Sequence, residues 1–452
     1  MPTVATLERC NFARPQGLSS NTAPNSSPTI SLLKTPNSLV RSLVVFSLAA
    51  CLGHAAEVAE SPIPASTTPI PDEFKDPDTG ARMLHLSKLP NDASGVIYFT
   101  QPDSTPDSRY TLVRYLDIPA GHTAGFMYRY DFKTAELVKL TDKITKNQWL
   151  VPKSGNLYYT SDNDHAFYVT NIHTLKTRKV ADALPGTTLG GGVTVNADET
   201  IVLATGNLEK EHKGEKILTT APNQGSAFTD TFSKHDTNLL FAADIKTGKM
   251  TELHRINTWL GHPQFSPTDP KLLMYCHEGP WQLVDRMWLM NLDDIKNPKT
   301  VMVRTEKDEI GGHEFWSTDG STVWYDHNFR GKTGAHAGKH VLQGKNVKTG
   351  ALTEYPIEPE FGSIHYVNSP DGKFFVCDGG TRKDPSTQAM YILVPKEGKL
   401  IAIKLCNMAK NNYKAAEPNP HLTPDQHWVT FTATFSGTPQ AYAVEMPKKF
   451  WR

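Results

Sequence analysis

Histidine, arginine and acidic residues crowd into residues 259–330, beside glycine and large aromatics. Trp259-Leu260-Gly261-His262-Pro263 is followed by Cys276-His277-Glu278-Gly279-Pro280, by Leu283-Val284-Asp285-Arg286-Met287-Trp288 and by Gly312-His313-Glu314-Phe315-Trp316. These are the residue types of proton transfer, anion binding and metal ligation. Histidine–glutamate pairs beside glycine are unusual as surface decoration. The competing assignment makes each histidine a structural one that bonds backbone between neighbouring elements. Other chemistries lose ground. No G-x-S-x-G elbow is present. Gly331-Lys332-Thr333 resembles the end of a P-loop, but Asp326 stands where its first glycine belongs. Neither His277-Glu278 nor His313-Glu314 has the second histidine of H-E-x-x-H.

The elements that must position these residues repeat along the chain. A short turn signal recurs seven times: Thr105–Ser108, Pro152–Gly155, Asn196–Glu199, Ser266–Asp269, Ser317–Gly320, Asn368–Gly372 and Thr423–Gln426. The spacing averages roughly 53 residues. Each copy leads into a β-type run, as in Leu157–Thr160, Leu272–Cys276 and Trp428–Thr432. Phe126–Asp131 alternates with period two, as a half-buried strand does. Lys246-Thr247-Gly248-Lys249 and Lys348-Thr349-Gly350-Ala351 read as tight hairpins. Four strands per unit in series predict an all-β, seven-bladed β-propeller. Arg82–Leu86 and Val96–Phe99 are two further strand-like runs, one of which pairs with the last blade to close the ring. The long gap between Asp198 and Asp269 marks a polar insertion near Gly206–Thr237. Each quoted histidine lies where a strand meets a turn, at a blade end.

Composition agrees with a turn-rich globular protein. The chain has 452 residues with 31 Gly and 32 Pro, and 38% of it is hydrophobic. Basic and acidic residues number 47 each, so a nucleic-acid binder driven by excess positive charge is excluded. Cys10, Cys51, Cys276, Cys377 and Cys406 include no CxxC pair, which argues against a zinc ribbon or a thioredoxin-like site. Cys10 and Cys51 fall in a segment expected to be removed or disordered, and the remaining three make no full disulfide framework.

Residues 1–38 are low in complexity. Lys34 and Arg41 then precede an apolar run, Leu43–Leu52, too short to span a bilayer and of the length of a signal-peptide core. Residues 1–56 are thus expected to be an export signal. It ends either at small residues near Gly53 and Ala55 or at Leu48-Ala49-Ala50-Cys51, which resembles a lipobox and would leave a lipidated Cys51 as the sole membrane attachment. Residues 57–77 read as a proline-rich linker and 78–452 as the propeller. The expected location is the periplasm or cell envelope, and the cytoplasm if the N-terminus is mis-assigned.

The stretches quoted at the outset resemble the oligogalacturonate lyases, polysaccharide lyase family 22, over roughly residues 72–452. That resemblance implies a seven-bladed propeller that uses a divalent metal, typically manganese, and cleaves short α-1,4-linked galacturonides by β-elimination. It implies His313 as general base and Arg286 as the catalytic arginine, and His365, in Ser363-Ile364-His365, as a metal ligand. The family's other ligands come from a Gln-x-x-His-Pro-His-Pro segment. Here that segment reads Lys414-Ala415-Ala416-Glu417-Pro418-Asn419-Pro420. Glu417 and Asn419 offer oxygen donors that suit Mn²⁺, and alternation on a strand would turn both to one side. The implied metal set is His365, Glu417 and Asn419; Lys414 would alternatively neutralise a substrate carboxylate. The competing assignment for this segment is a proline-bounded surface turn. His262, His277, Arg330, Arg382 and Lys414 are expected to contact the anionic oligosaccharide. The alternatives are a lyase for another uronide and a non-catalytic sugar-binding or scaffold propeller.

Overall fold

The computed structural model describes residues 72–87, 93–116, 124–161, 163–208, 237–331, 333–380 and 384–452. These residues form seven antiparallel sheets arranged as a seven-bladed β-propeller, six of four strands and one of five. All seven predicted turn signals join the first strand of a blade to its second. The β-type runs after them are the second strands, for example Tyr110–Leu116, Asn156–Ser161, Leu272–His277 and Trp428–Ala433.

The recurring signal has a local cause. In four copies a hydroxyl donates to the aspartate two residues on: Thr105 to Asp107 and Ser317 to Asp319 at 2.6 Å, Ser369 to Asp371 at 2.8 Å, and Thr423 to Asp425 at 2.6 Å. Such side chains substitute for backbone partners in a tight turn. The turns also staple neighbouring blades. Asp425 N donates to Ser108 Oγ at 2.9 Å, Thr268 Oγ1 to Asp319 O at 3.1 Å, and Asn368 Nδ2 to Thr318 Oγ1 at 3.1 Å.

Apolar side chains alternate to both faces of each sheet and pack between blades. Tyr158, Phe167 and Val169 of one blade meet Val202, Leu239 and Phe241 of the next. Each such side chain contributes roughly 1.5–3 kcal/mol when fully buried. The ring is closed by the N-terminal strand Arg82–His85, which pairs Met83 with Val444 and His85 with Tyr442 on the last strand. This closure covers the edges that an open sheet would expose.

Four expectations are corrected. Val96–Phe99 is not a strand; only Ser94–Gly95 pairs, and the chain continues as an irregular arm. Glu73–Lys75, assigned to the linker, is the fifth strand of the closing blade. Residues 416–420 form no strand, and Asn419 has a left-handed φ of 49°. The alternation that would have turned Glu417 and Asn419 to one side therefore does not exist, because the blade's inner strand begins only at His421. The signal segment with Cys51, residues 57–71 of the linker, Arg382, and insertion residues 209–236 lie outside the described residues. Gly206, placed in the insertion by sequence, belongs to the strand Ile201–Leu208. Cys276, Cys377 and Cys406 are free and buried.

Candidate active site

Two adjacent blades present histidines from equivalent places. The inner strand Leu260–Phe265 carries a register shift between Gly261 and Gln264, and the inner strand Glu309–Trp316 carries one between Gly312 and Phe315. His262 and His313 sit in these bulges with φ of 46° and 50°. A bulge re-aims a side chain, and a left-handed non-glycine residue costs about 1–2 kcal/mol. Strain of this kind gathers at functional sites.

His313 Nδ1 lies 2.7 Å from Asp326 Oδ1, on the neighbouring strand Thr322–Phe329. An ionised Asp326 accepts from an Nδ1–H, so the Nε2 lone pair points away from the couple. Burial acts to raise the Asp326 pKa. The charge and hydrogen bond of His313 outweigh it and hold the group below its usual range, with smaller help from His340 and Arg330. A second couple faces the first. His365 Nδ1 meets Asp378 Oδ2 at 2.8 Å, and the two imidazoles approach edge to face with centroids 5.4 Å apart at 89°. His365 is 1% exposed. Its Nε2 is sealed from solvent with no hydrogen-bond partner, and the closest carboxylate oxygen is Glu417 Oε2 at 3.6 Å. That distance is too long for a hydrogen bond. Burial opposes charge on His365, but Asp378 prevails, so its pKa is raised.

Arg286 borders the same end of the ring. Its guanidinium carbon lies 4.7 Å from the Trp281 ring centroid, and that ring is 5.0 Å from His313. Nη1 binds Glu278 at 2.5 Å and Nε binds Glu314 at 3.2 Å, both carboxylates being buried. Glu314 also accepts from Cys276 Sγ, and Glu278 approaches His262 Nε2 at 3.0 Å. Burial would raise the Glu278 pKa, yet Arg286 and then His262 bring it down to about 2. Two guanidinium nitrogens are thus committed to protein. Among the described residues Nη2 has no hydrogen-bond partner, and it is not sealed from solvent, so it remains to reach a substrate. A single edge of the Arg286 guanidinium is left, because Glu278 and Glu314 occupy the rest.

The irregular arm after Ser94–Gly95 crosses this end. His421 Nε2 meets Ile97 O at 3.1 Å, and Phe99 N donates to Asn419 Oδ1 at 3.4 Å. Between these anchors Tyr98 packs against His262 at 5.3 Å and His365 at 6.1 Å. Burial, then Glu314, pushes its phenol above the ordinary pKa.

The structure therefore brings His262, Arg286, His313, His365 and Glu417 together. His277 is set apart. It is one residue beyond Cys276, so strand alternation turns it to the other face, where it stacks on Trp288 at 4.8 Å. The Asn419 amide ties Phe99 to the Glu417 carbonyl, the latter at 3.2 Å. Lys414 is exposed in a turn, and no described contact joins it to the cluster. Arg330 is exposed just past Phe329, and its charge helps to hold down the Asp326 pKa. Sequence reasoning missed Tyr98, Trp281, Asp326 and Asp378. The aspartates had a signal: each is a carboxylate inside an otherwise apolar second-strand run, Trp324-Tyr325-Asp326 and Val376-Cys377-Asp378.

A seven-bladed propeller with two aspartate-backed histidines and a buried arginine at one end defines an enzyme-type centre for an anionic substrate. Residues 72–450 match the family model described as oligogalacturonate lyase, and the chain belongs to that family. It is 27% identical over 344 residues to the oligogalacturonate lyase of Dickeya dadantii, covering 72% of this chain and 84% of that protein. The crystal structure of the Vibrio parahaemolyticus oligogalacturonate lyase superposes with a TM-score of 0.69 at 26% identity, covering 84% of this chain and 97% of the other. An oligogalacturonate lyase in complex with manganese shares the fold at 24% identity, with the same TM-score and coverage.

Proposed function

We propose that this protein cleaves short α-1,4-linked oligogalacturonides by β-elimination, leaving an unsaturated uronate. The observation that carries the reading is the meeting of the His313–Asp326 and His365–Asp378 couples beside Arg286, in a chain of this family.

His313 Nε2 takes the C5 proton, and the couple with Asp326 stabilises the imidazolium that results. The Nη2 edge of Arg286 faces the negative charge that grows on the uronate carboxylate. Trp281 packs against one side of both groups. The free His365 Nε2 and the nearby Glu417 carboxylate fit a divalent cation, because an imidazole whose Nδ1 is already held by Asp378 presents an oriented lone pair. Among the described residues no set of three His, Cys, Asp or Glu gathers to hold an ion alone. His365 and Glu417 would be the protein donors, and carboxylate and water oxygens are ligand types that suit Mn²⁺. When bound, such a cation supplies Lewis acidity to the uronate carboxylate. Export to the periplasm or cell envelope completes the reading, supported by Lys34 and Arg41 before the Leu43–Leu52 run.

The test is formation of the ultraviolet-absorbing unsaturated product from digalacturonate, with Mn²⁺ or with chelator. Wild type should form it and lose the activity on chelation. His313→Ala should form none while keeping the wild-type melting temperature. Near-full activity of His313→Ala, or no product from wild type on any galacturonide, overturns the reading.

A further inference from the structure

Elimination across C4 and C5 needs two proton movements, and His313 accounts for one. The C5 proton leaves to the base. The glycosidic oxygen on C4, departing with the bonding pair, needs a proton of its own. In the chair of an α-linked galacturonide these two bonds point to opposite faces of the ring. A single imidazole on one face cannot serve both, so the donor is a second group across the sugar.

The groups at this end narrow the choice. Arg286 stays charged at any working pH and gives up no proton. Glu278 and Glu314 are ionised partners of Arg286. Asp326 and Asp378 are occupied behind the two histidines. Tyr98 differs from all of these. Its phenol carries a proton at neutral pH. It has no hydrogen-bond partner among the described residues, and it is not sealed from solvent. Its ring borders His365 at 6.1 Å and 82°, while His313 borders the same imidazole at 5.4 Å from a different blade. The base and the phenol thus both border one histidine, from separate elements. The arm that carries Tyr98 is held on both sides, by His421 at Ile97 and by Asn419 at Phe99. The Phe99 ring is further wedged against His365 at 4.9 Å and Phe315 at 6.1 Å. An irregular segment fixed this firmly suits a preorganised donor.

We propose that Tyr98 is a catalytic residue whose hydroxyl protonates the departing glycosidic oxygen, an inference that rests on the lyase reading above. The C5–H bond breaks toward His313 Nε2, and its electron pair becomes the C4=C5 double bond. The C4–O bond breaks, its pair goes to oxygen, and that oxygen takes the phenolic proton. The step leaves an imidazolium and a phenolate, and proton return through solvent restores both.

Two substrates and two variants test this. On digalacturonate, Tyr98→Phe should lower kcat by about 10²–10⁴-fold, with KM within a few-fold and the melting temperature unchanged. On a 4-deoxy-4-fluoro galacturonide the leaving fluoride needs no proton, so Tyr98→Phe should run near the wild-type rate while His313→Ala is dead. Full kcat of Tyr98→Phe on digalacturonate overturns the proposal. So does an equal loss on both substrates, which would make the tyrosine a structural support. A wild-type protein inert toward both substrates would instead count against the lyase reading itself.

Discussion

Gly312 precedes the proposed base, and its missing side chain is a packing requirement. A Cβ built there would sit 2.7 Å from Trp281 Cζ3, 2.9 Å from Cη2 and 3.2 Å from Cε3. All three are atoms of a rigid indole, so no flexible tip can swing aside. The indole is confined by the Arg286 guanidinium at 4.7 Å and by His313 at 5.0 Å. Its loop is latched as well: Arg304 donates to the Gln282 carbonyl and, from Nε at 3.1 Å, to Asp285. Gly312→Ala must therefore push Trp281 by about 0.5–1 Å to regain ordinary contact, and His313 or Arg286 moves with it. Overpacking of this kind costs about 1–3 kcal/mol. Misplacement of a reacting group by ~1 Å costs on the order of 10²-fold in rate. The expected result is a kcat about 10–100-fold below wild type in the ultraviolet assay, with calorimetric melting lower by a few degrees. Adding Trp281→Phe, which removes the struck ring atoms, should recover most of the melting loss. Wild-type kcat in Gly312→Ala would refute the claim that Trp281 transmits the clash to the reacting groups.

Asp326→Asn should lower kcat by about 10²–10⁴-fold with little change in KM, because an amide leaves the His313 tautomer and its imidazolium unsupported; kinetics at wild-type level would detach Asp326 from the base. His277 gives a pH signature of stability. Burial, then the charge of His254, outweighs Asp285 and lowers its pKa to about 4, against ~6.5 in an unfolded chain. The unfolded state then binds the proton first, so the folded protein loses stability as pH falls from about 6.5 toward 4, by up to about 3 kcal/mol. Denaturation midpoints across that window should fall less steeply for His277→Phe, and an unchanged slope would show that His277 is not the group responsible.

Much of the architecture was legible because propeller blades repeat local chemistry. The Ser/Thr-x-Asp turns close on their own side chains, so their sequence reports them directly. The second strands are apolar because both faces are buried between blades, so they too stand out. The arm at Val96–Phe99 was misread for the same reason. Its residues are apolar, but they pack against His365, Phe315 and His421 rather than pairing in a sheet. His277 was misread because its neighbours Cys276 and Glu278 belong to the centre, and only the pleat sends the intervening side chain away. Asn419 was misread because a strand was assumed where the chain takes a left-handed turn.

The sequence by itself determined the ring of seven blades and the turns that bound them, since these are written in contiguous residues with a local period. The histidines and arginine of the centre were marked by their clustering and by the resemblance of their motifs to the family. Tertiary structure alone decided which of those groups meet. His313 reaches His365, Arg286 is shared between Glu278 and Glu314, and Tyr98 arrives from the opposite side of the ring. The His313–His365 and Arg286–Glu314 contacts join consecutive blades, and Tyr98 comes from a distant one. This geometry follows from ring closure and bulge placement, which no local pattern of residues encodes.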